Sequence, residues 1–197
     1  MKWEQDLVRD IRFHDERDDI DSPEATGDLF PYIPREFSDC NSSYLSHLFD
    51  VTTISTILEI GVHRNGDESS TSVIHSKMGN SLYLGVDLDD KSYLESENIH
   101  TIRCDSSDYQ MVSDKMSSIG MTSIDLLFID GWHSINQVLR DWEYTKLLSH
   151  EGIVFFHDTT RHPGPKLFLE NLNKDKWAVV ENFCPDDHGI GTCYVKA

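Results

Sequence analysis

Two acids and two imidazoles close a pair of hydrophobic runs in this chain. The first run is Ile124-Asp125-Leu126-Leu127-Phe128-Ile129-Asp130-Gly131-Trp132-His133, and the second is Gly152-Ile153-Val154-Phe155-Phe156-His157-Asp158-Thr159. Asp130, His133, His157 and Asp158 carry groups that bind and move protons near neutral pH. One helix's worth of sequence separates the runs, so they read as a strand–helix–strand crossover. Such a unit sets its strands parallel and ends both on one rim. Neighbouring strands lie about 4.8 Å apart, so the four side chains can converge on one point. In open α/β sheets, that rim is where ligands bind.

The elements that must position them follow in regular alternation. A short helix over Ser42–Phe49 leads into a buried strand, Thr56–Ile60, then a loop through Gly66 and a helix over Ser69–Met78. Leu82–Asp87 and Ile99–Asp105 read as the second and third strands, with a helix over Tyr109–Ser118 before the crossover. Ser134-Ile135-Asn136-Gln137 matches a capping box, the serine covering a helix-start donor and the glutamine reaching back. Ile135, Val138, Leu139 and Trp142 follow at helical spacing and should face the sheet. Gly152 is expected to stop this helix. A helix around Lys166–Leu172 precedes two last strands, Trp177–Phe183 and Gly191–Val195, joined by a loop short enough to make them antiparallel. The fold class expected is therefore α/β: a Rossmann-like, mostly parallel sheet with an antiparallel C-terminal strand.

The totals narrow the partners. At 197 residues the chain suits one main domain. Residues 1–40, broken by Pro23, Pro31 and Pro34, read as an N-terminal extension or lid, and residues 41–197 as the main domain. Thirty-five acids against 17 bases give a net charge of -18, which disfavours nucleic acid and anionic membranes. No apolar run approaches the ~20 residues of a membrane span, and the start of the chain is no signal peptide. Four cysteines without a Cys-x-x-Cys pair suit a reduced, cytoplasmic protein. The aromatic N-terminal arm is also a segment through which two copies could pair.

Acids mark the ends of the first strands as well. Glu59-Ile60-Gly61 closes the first, with Gly66 five residues beyond Gly61, and glycine there permits a tight turn and a close approach of backbone to ligand. Asp87 ends the second strand, where an acid grips ribose hydroxyls, and Asp105 ends the third, where it can receive an adenine amino group. The dinucleotide pattern Gly-x-Gly-x-x-Gly and a Walker loop are both absent. Together these placements point to an adenosine-containing ligand.

On these residues the chain resembles the class I S-adenosylmethionine-dependent methyltransferases from about Ser42 onward. Within them, Phe128–His133, a helix carrying Asp141, and Phe156–Thr159 look like small-molecule O-methyltransferases of the macrocin, mycinamicin and cephalosporin-hydroxylase-like type. The resemblance implies S-adenosyl-L-methionine as cofactor, with Glu59, Gly61, Gly66, Asp87, Asp105 and Asp130 at its site. It implies a divalent cation (Mg²⁺ or Mn²⁺) on Asp130, His157 and Asp158, and His133 as general base. The acceptor would be a small molecule bearing a hydroxyl, a sugar or other natural product. The chemistry is coherent, because an alcohol is too weak an acid at neutral pH without a polarising cation and a base.

Asn65 and Asp67 depart from the family's glycine loop, and His157 stands where the metal-binding relatives carry an acid. These departures keep a second reading open: a same-fold relative that does not methylate, either a ligand-binding protein or a metal-dependent hydroxylase-like enzyme using His133, His157 and Asp158. His157 and Asp158 can equally orient a loop and cap a turn, and Trp132 can stack on a ligand or simply pack. His63 and His188 lie near the expected cleft. His14, His47, His75, His100, His150 and His162 read as exposed or internally satisfied.

Overall fold

Strands buried on both faces need continuous apolar runs, and the runs above are the strands observed. The computed structural model describes residues 40–62, 69–160, 162–183 and 190–195. In chain order these form α1 (Cys40–Val51), β1 (Thr56–Ile60), α2 (Ser70–Lys77), β2 (Leu82–Asp87), β3 (Ile99–Arg103) and α3 (Tyr109–Ser118). They continue with β4 (Ile124–Ile129), α4 (Ile135–Asp141), β5 (Leu148–His157), α5 (Pro163–Asn171), β6 (Trp177–Phe183) and β7 (Ile190–Val195). The expected segments 1–39, the loop with Gly66, Asn65, Asp67 and His63, and the loop with His188 lie outside the described residues.

The sheet order is β3-β2-β1-β4-β5-β7-β6. β1 pairs in parallel with both β2 and β4, and β4 pairs in parallel with β5. β7 runs antiparallel between β5 and β6, as the short β6–β7 connection requires. The strand order reverses between β1 and β4, which is the crevice position for ligands in such sheets.

Alternate residues of each strand feed opposite cores. Ile57, Tyr83, Leu126, Phe128 and Phe155 pack under α1 and α2. Leu58, Ile60, Leu84, Leu127, Ile129 and Phe156 pack on the other face with α3, α4 and α5. There Trp142 is fully buried and meets Phe156, Phe168 and Trp177 at ring-centroid distances of 5.8, 4.8 and 4.7 Å. Truncating such a side chain costs about 3–5 kcal/mol. At the strand starts Asp125 accepts from the backbone of Ser55 and Thr56 and from Ser149 Oγ. This clasp ties β1, β4 and β5 at the edge opposite the functional rim.

Gly152 does not end the crossover helix. α4 stops at Asp141, a 3-10 turn covers Trp142–Leu147, and β5 has begun by Leu148. Gly152 lies inside β5, where its register against β4 shifts between Ile124 and Leu126. A Cβ there would stand 2.7 Å from the Ile124 carbonyl oxygen, so glycine serves the close strand approach at this irregularity. α5 also begins earlier than expected, because Pro163 occupies its first turn with a φ already suited to helix. Among the described residues no helix is long and apolar enough to cross a membrane.

Candidate active site

The rim is built by backbone before any side chain contributes. Gly61 N donates to Val86 O and Asp130 N to Ile60 O, both at 2.9 Å, so the ladder continues past the ends of β1, β2 and β4. Gly61 takes φ +84°, and a Cβ on it would lie 2.1 Å from the Asp130 carbonyl oxygen. Glycine here is demanded by the neighbouring strand end, a reason the sequence did not reveal.

His133 leaves β4 on a short loop that Ser134 ends as N-cap, its Oγ accepting from Gln137 N at 3.0 Å. The other half of the expected capping box does not form. Gln137 Nε2 donates instead to Ser106 Oγ (2.8 Å) and Asp141 Oδ1 (2.9 Å), which draws the amide to the buried Asp141 cluster. Asp141 is fully buried, and burial pushes its carboxyl up to about 7 against the hydrogen bonds from Ser106 and Gln137. It fastens α4 to the loop after β3.

His157 ends β5. Asp158 follows with φ +59°, the one non-glycine residue with positive φ among the described residues. Aspartate tolerates this left-handed conformation better than most side chains, and here it turns the carboxylate back over the rim. His162 N closes the turn by donating to Asp158 O at 3.0 Å. His162 is the N-cap residue of α5. Gly164 lets that helix press onto the His133 loop, since a Cβ there would come within 1.9 Å of His133 O.

The four residues expected to converge do so. His157 Nδ1 lies 3.2 Å from Asp130 Oδ1 and 3.2 Å from Asp158 Oδ1. His133 Nε2 lies 3.0 Å from Asp158 Oδ2 and 3.7 Å from Asp130 Oδ1. Burial opposes charge on the His157 ring, yet the two carboxylates beside it hold it well above the ordinary histidine range. Burial likewise opposes ionisation of Asp158, but His157 and hydrogen bonds from His133 and His157 hold its carboxyl well below the usual range. Asp130 is lowered by the same His157, with Asp158 working against it. An imidazolium thus lies between two carboxylates.

Asp130, His157 and Asp158 also offer ligand atoms within 4.8 Å of one another. The edge of an octahedron with ~2.1 Å bonds is about 3.0 Å, close to both 3.2 Å separations. Two carboxylates and one imidazole therefore fit a small divalent cation, which would take the place of the proton on His157.

The expected cofactor residues are placed less uniformly. Asp87 Oδ2 accepts from Val62 N at 2.9 Å and Oδ1 from Asp89 N at 2.8 Å, so it stands at the glycine turn. Asp105 is exposed and accepts from Ser107 N at 2.8 Å, which caps the turn after β3. Glu59 is 1% exposed and faces inward, accepting from Tyr83 OH and Thr71 Oγ1. Trp132 is 49% exposed beside the rim.

His162 is the site residue that sequence reasoning missed. It is 5% exposed, its ring stacks on His133 with centroids 4.1 Å apart and planes 3° apart, and its Nε2 lies 3.8 Å from Asp158 Oδ2. The available signal was Pro163, which starts a helix so soon after Asp158 that the intervening turn must fold back on the rim.

The methyltransferase-domain family matches residues 58–159 of the chain, just over half of it. That span holds every expected site residue. The chain is similar in structure to MycE methyltransferase of the mycinamycin biosynthetic pathway, solved in complex with Mg, SAH and mycinamycin VI. The TM-score is 0.58 at 14% identity over 88% of this chain and 53% of MycE. It is also similar to an O-methyltransferase from Bacillus cereus in complex with SAH, with TM-score 0.56 and 13% identity over 99% and 96% of the two chains. SAH-bound methyltransferase PaMTH1 of Podospora anserina gives TM-score 0.52 and 15% identity over 94% and 91%. These likenesses show a shared fold, and the chain spans about half the length of MycE. No curated protein matches it in sequence.

Proposed function

Because the chain belongs to the methyltransferase-domain family, we propose that it transfers the methyl group of S-adenosylmethionine to a hydroxyl oxygen of a small molecule. A divalent cation assists, and the acceptor is a sugar or similar hydroxylated natural product. The observation that carries this reading is the meeting of Asp130, His133, His157 and Asp158 beside the β1 turn. Solved structures of the same fold support it, binding SAH in two cases and Mg with SAH in another.

Bound S-adenosylmethionine supplies an electrophilic methyl carbon, and the bound cation supplies polarisation of the acceptor hydroxyl. Asp130, His157 and Asp158 hold the cation. Asp87, at the end of β2, takes the ribose hydroxyls. With cofactor and acceptor bound, His133, whose Nε2 faces Asp158, would take the hydroxyl proton while that oxygen gains the methyl group and the sulfur leaves as S-adenosylhomocysteine. Asp158 Oδ2, 3.0 Å away, orients that ring and stabilises the charge it gains. Burial of His133, 8% exposed, strengthens this contact by excluding water.

Residues 1–40 and the segments 159–166 and 184–189 act on acceptor choice, residues 41–197 form the catalytic domain, and the chain works in the cytoplasm. Calorimetry with S-adenosylmethionine and S-adenosylhomocysteine tests the reading directly. Micromolar binding of both, followed by methyl transfer to a panel of hydroxylated sugars, is expected. Binding of neither ligand overturns it.

A further inference from the structure

Asp158 divides its two oxygens between two clusters. Oδ1 faces His157, 3.2 Å away, on the side of Asp130. Oδ2 faces His133 and His162, at 3.0 and 3.8 Å. His133, Asp158 and His162 also present ligand atoms within 4.8 Å of one another. We propose that these three residues form a second divalent-cation site, one that takes an imidazole-preferring ion of the Zn²⁺ class and, when filled, withdraws His133 from proton transfer.

The geometry suits that ion. Zinc bonds to imidazole and carboxylate run about 2.0–2.2 Å, so two ligands of a tetrahedral zinc stand roughly 3.4 Å apart. The two separations from Asp158 Oδ2 bracket this value. The rings of His133 and His162 lie parallel, 3° apart in plane, and both Nε2 atoms face the same carboxylate oxygen. Imidazole binds an ion in its own ring plane, so closing on one ion requires both rings to turn out of this parallel stack about their side-chain torsions.

The donor set separates this cluster from its neighbour. Asp130, His157 and Asp158 supply two carboxylates and one imidazole, a set that suits a hard ion. His133, His162 and Asp158 supply two imidazoles and one carboxylate, which favours Zn²⁺ over Mg²⁺. Three protein ligands leave a fourth position open. All three residues are at least nine-tenths buried, and each comes from a different structural device: the exit of β4, the left-handed turn after β5, and the N-cap of α5 pressed in place by Gly164. Using opposite oxygens, Asp158 can serve one cluster or both.

The site itself stands without the methyltransferase reading, whereas the inhibitory consequence rests on His133 being the base. The test uses the full-length chain, stripped of metal, with Zn²⁺ and Co²⁺ as probes and no cofactor present. Wild type should bind two Co²⁺ per chain, one of them with the intense visible absorption of a four- or five-coordinate site. H162F, which keeps a ring against His133, should lose that absorption and bind one ion, and D130N should retain it. H162Q, a smaller polar change, repeats the test should H162F fold poorly. In turnover assays with Mg²⁺ in excess, Zn²⁺ should inhibit wild type at a concentration at least tenfold below that needed for H162Q. One ion per wild-type chain, or an unaltered Co²⁺ spectrum in both His162 variants, overturns the site. Intact two-ion binding in a chain that ignores S-adenosylmethionine would leave the site standing and remove the methyltransferase reading.

Discussion

The phenol of Tyr83 donates to Oε2 of Glu59 at 2.6 Å. The two residues sit on adjacent strands, and Gly85, paired with Glu59 in register, leaves the phenol its room: a Cβ there would lie 2.8 Å from the Tyr83 oxygen. Burial pushes the Glu59 carboxyl from 4.5 up to about 8, against the hydrogen bonds from Tyr83 and Thr71. The folded chain therefore keeps a proton that the unfolded chain releases above about pH 4.5. The stability tied to this proton is full below that pH, declines as pH rises, and levels off past about 8. E59Q cannot ionise, so the Tm difference between variant and wild type should move in the variant's favour from about pH 5 to about pH 8. A constant difference across that window would show that Glu59 is ionised in the fold.

Asp87 accepts from the backbone of Val62 at 2.9 Å and is the proposed ribose ligand. Asp87→Ala should weaken S-adenosylmethionine binding by roughly 1.5–3 kcal/mol, the range for hydrogen bonds to a charged group. D87N, which keeps one acceptor oxygen, should fall between the two in calorimetry. Equal affinities in all three proteins would take Asp87 out of the cofactor site.

Chelator treatment should abolish turnover, and added Mg²⁺ or Mn²⁺ should restore it. The same ions should raise the thermal midpoint of wild type, since a ligand of the folded state stabilises it by mass action. In D158N that Mg²⁺-dependent rise should vanish. Full activity after thorough demetallation would defeat the cation's role and leave the fold assignment untouched.

His133→Ala should lower kcat by about 10²–10⁴-fold, the usual worth of a positioned general base. Cofactor affinity should stay near the wild-type value, because the ring faces Asp158 and Asp130 rather than the β2 end. A variant that keeps its rate and loses only thermal stability would assign His133 to packing.

Gly164 carries the contact between α5 and the His133 loop. A methyl group placed there meets a backbone carbonyl at 1.9 Å, and backbone yields less readily than the end of a side chain. G164A should therefore cost at least about 1–3 kcal/mol, the range for overpacking a filled site, read as a fall in the urea midpoint. An unchanged midpoint would mean that α5 is free to move away from the site.

The strands, their parallel sense, the antiparallel close and the rim where Asp130, His133, His157 and Asp158 meet were all legible in the residues. Burial on both faces writes a strand as a local apolar run, and a crossover helix between two such runs fixes their sense. Helix starts were legible at Ser134, whose oxygen reaches its own chain three residues on. What tertiary structure alone decided are contacts between segments far apart. Gln137 turned from its cap to Asp141. Gly152 answered Ile124 across the sheet rather than ending a helix, and Gly61 answered Asp130. His162 reached the rim because Asp158 adopts a left-handed φ and Gly164 lets α5 close on His133. Periodicity tells which face a residue occupies. Which atoms meet there depends on backbone turns and approach distances that the packed fold imposes from several directions at once.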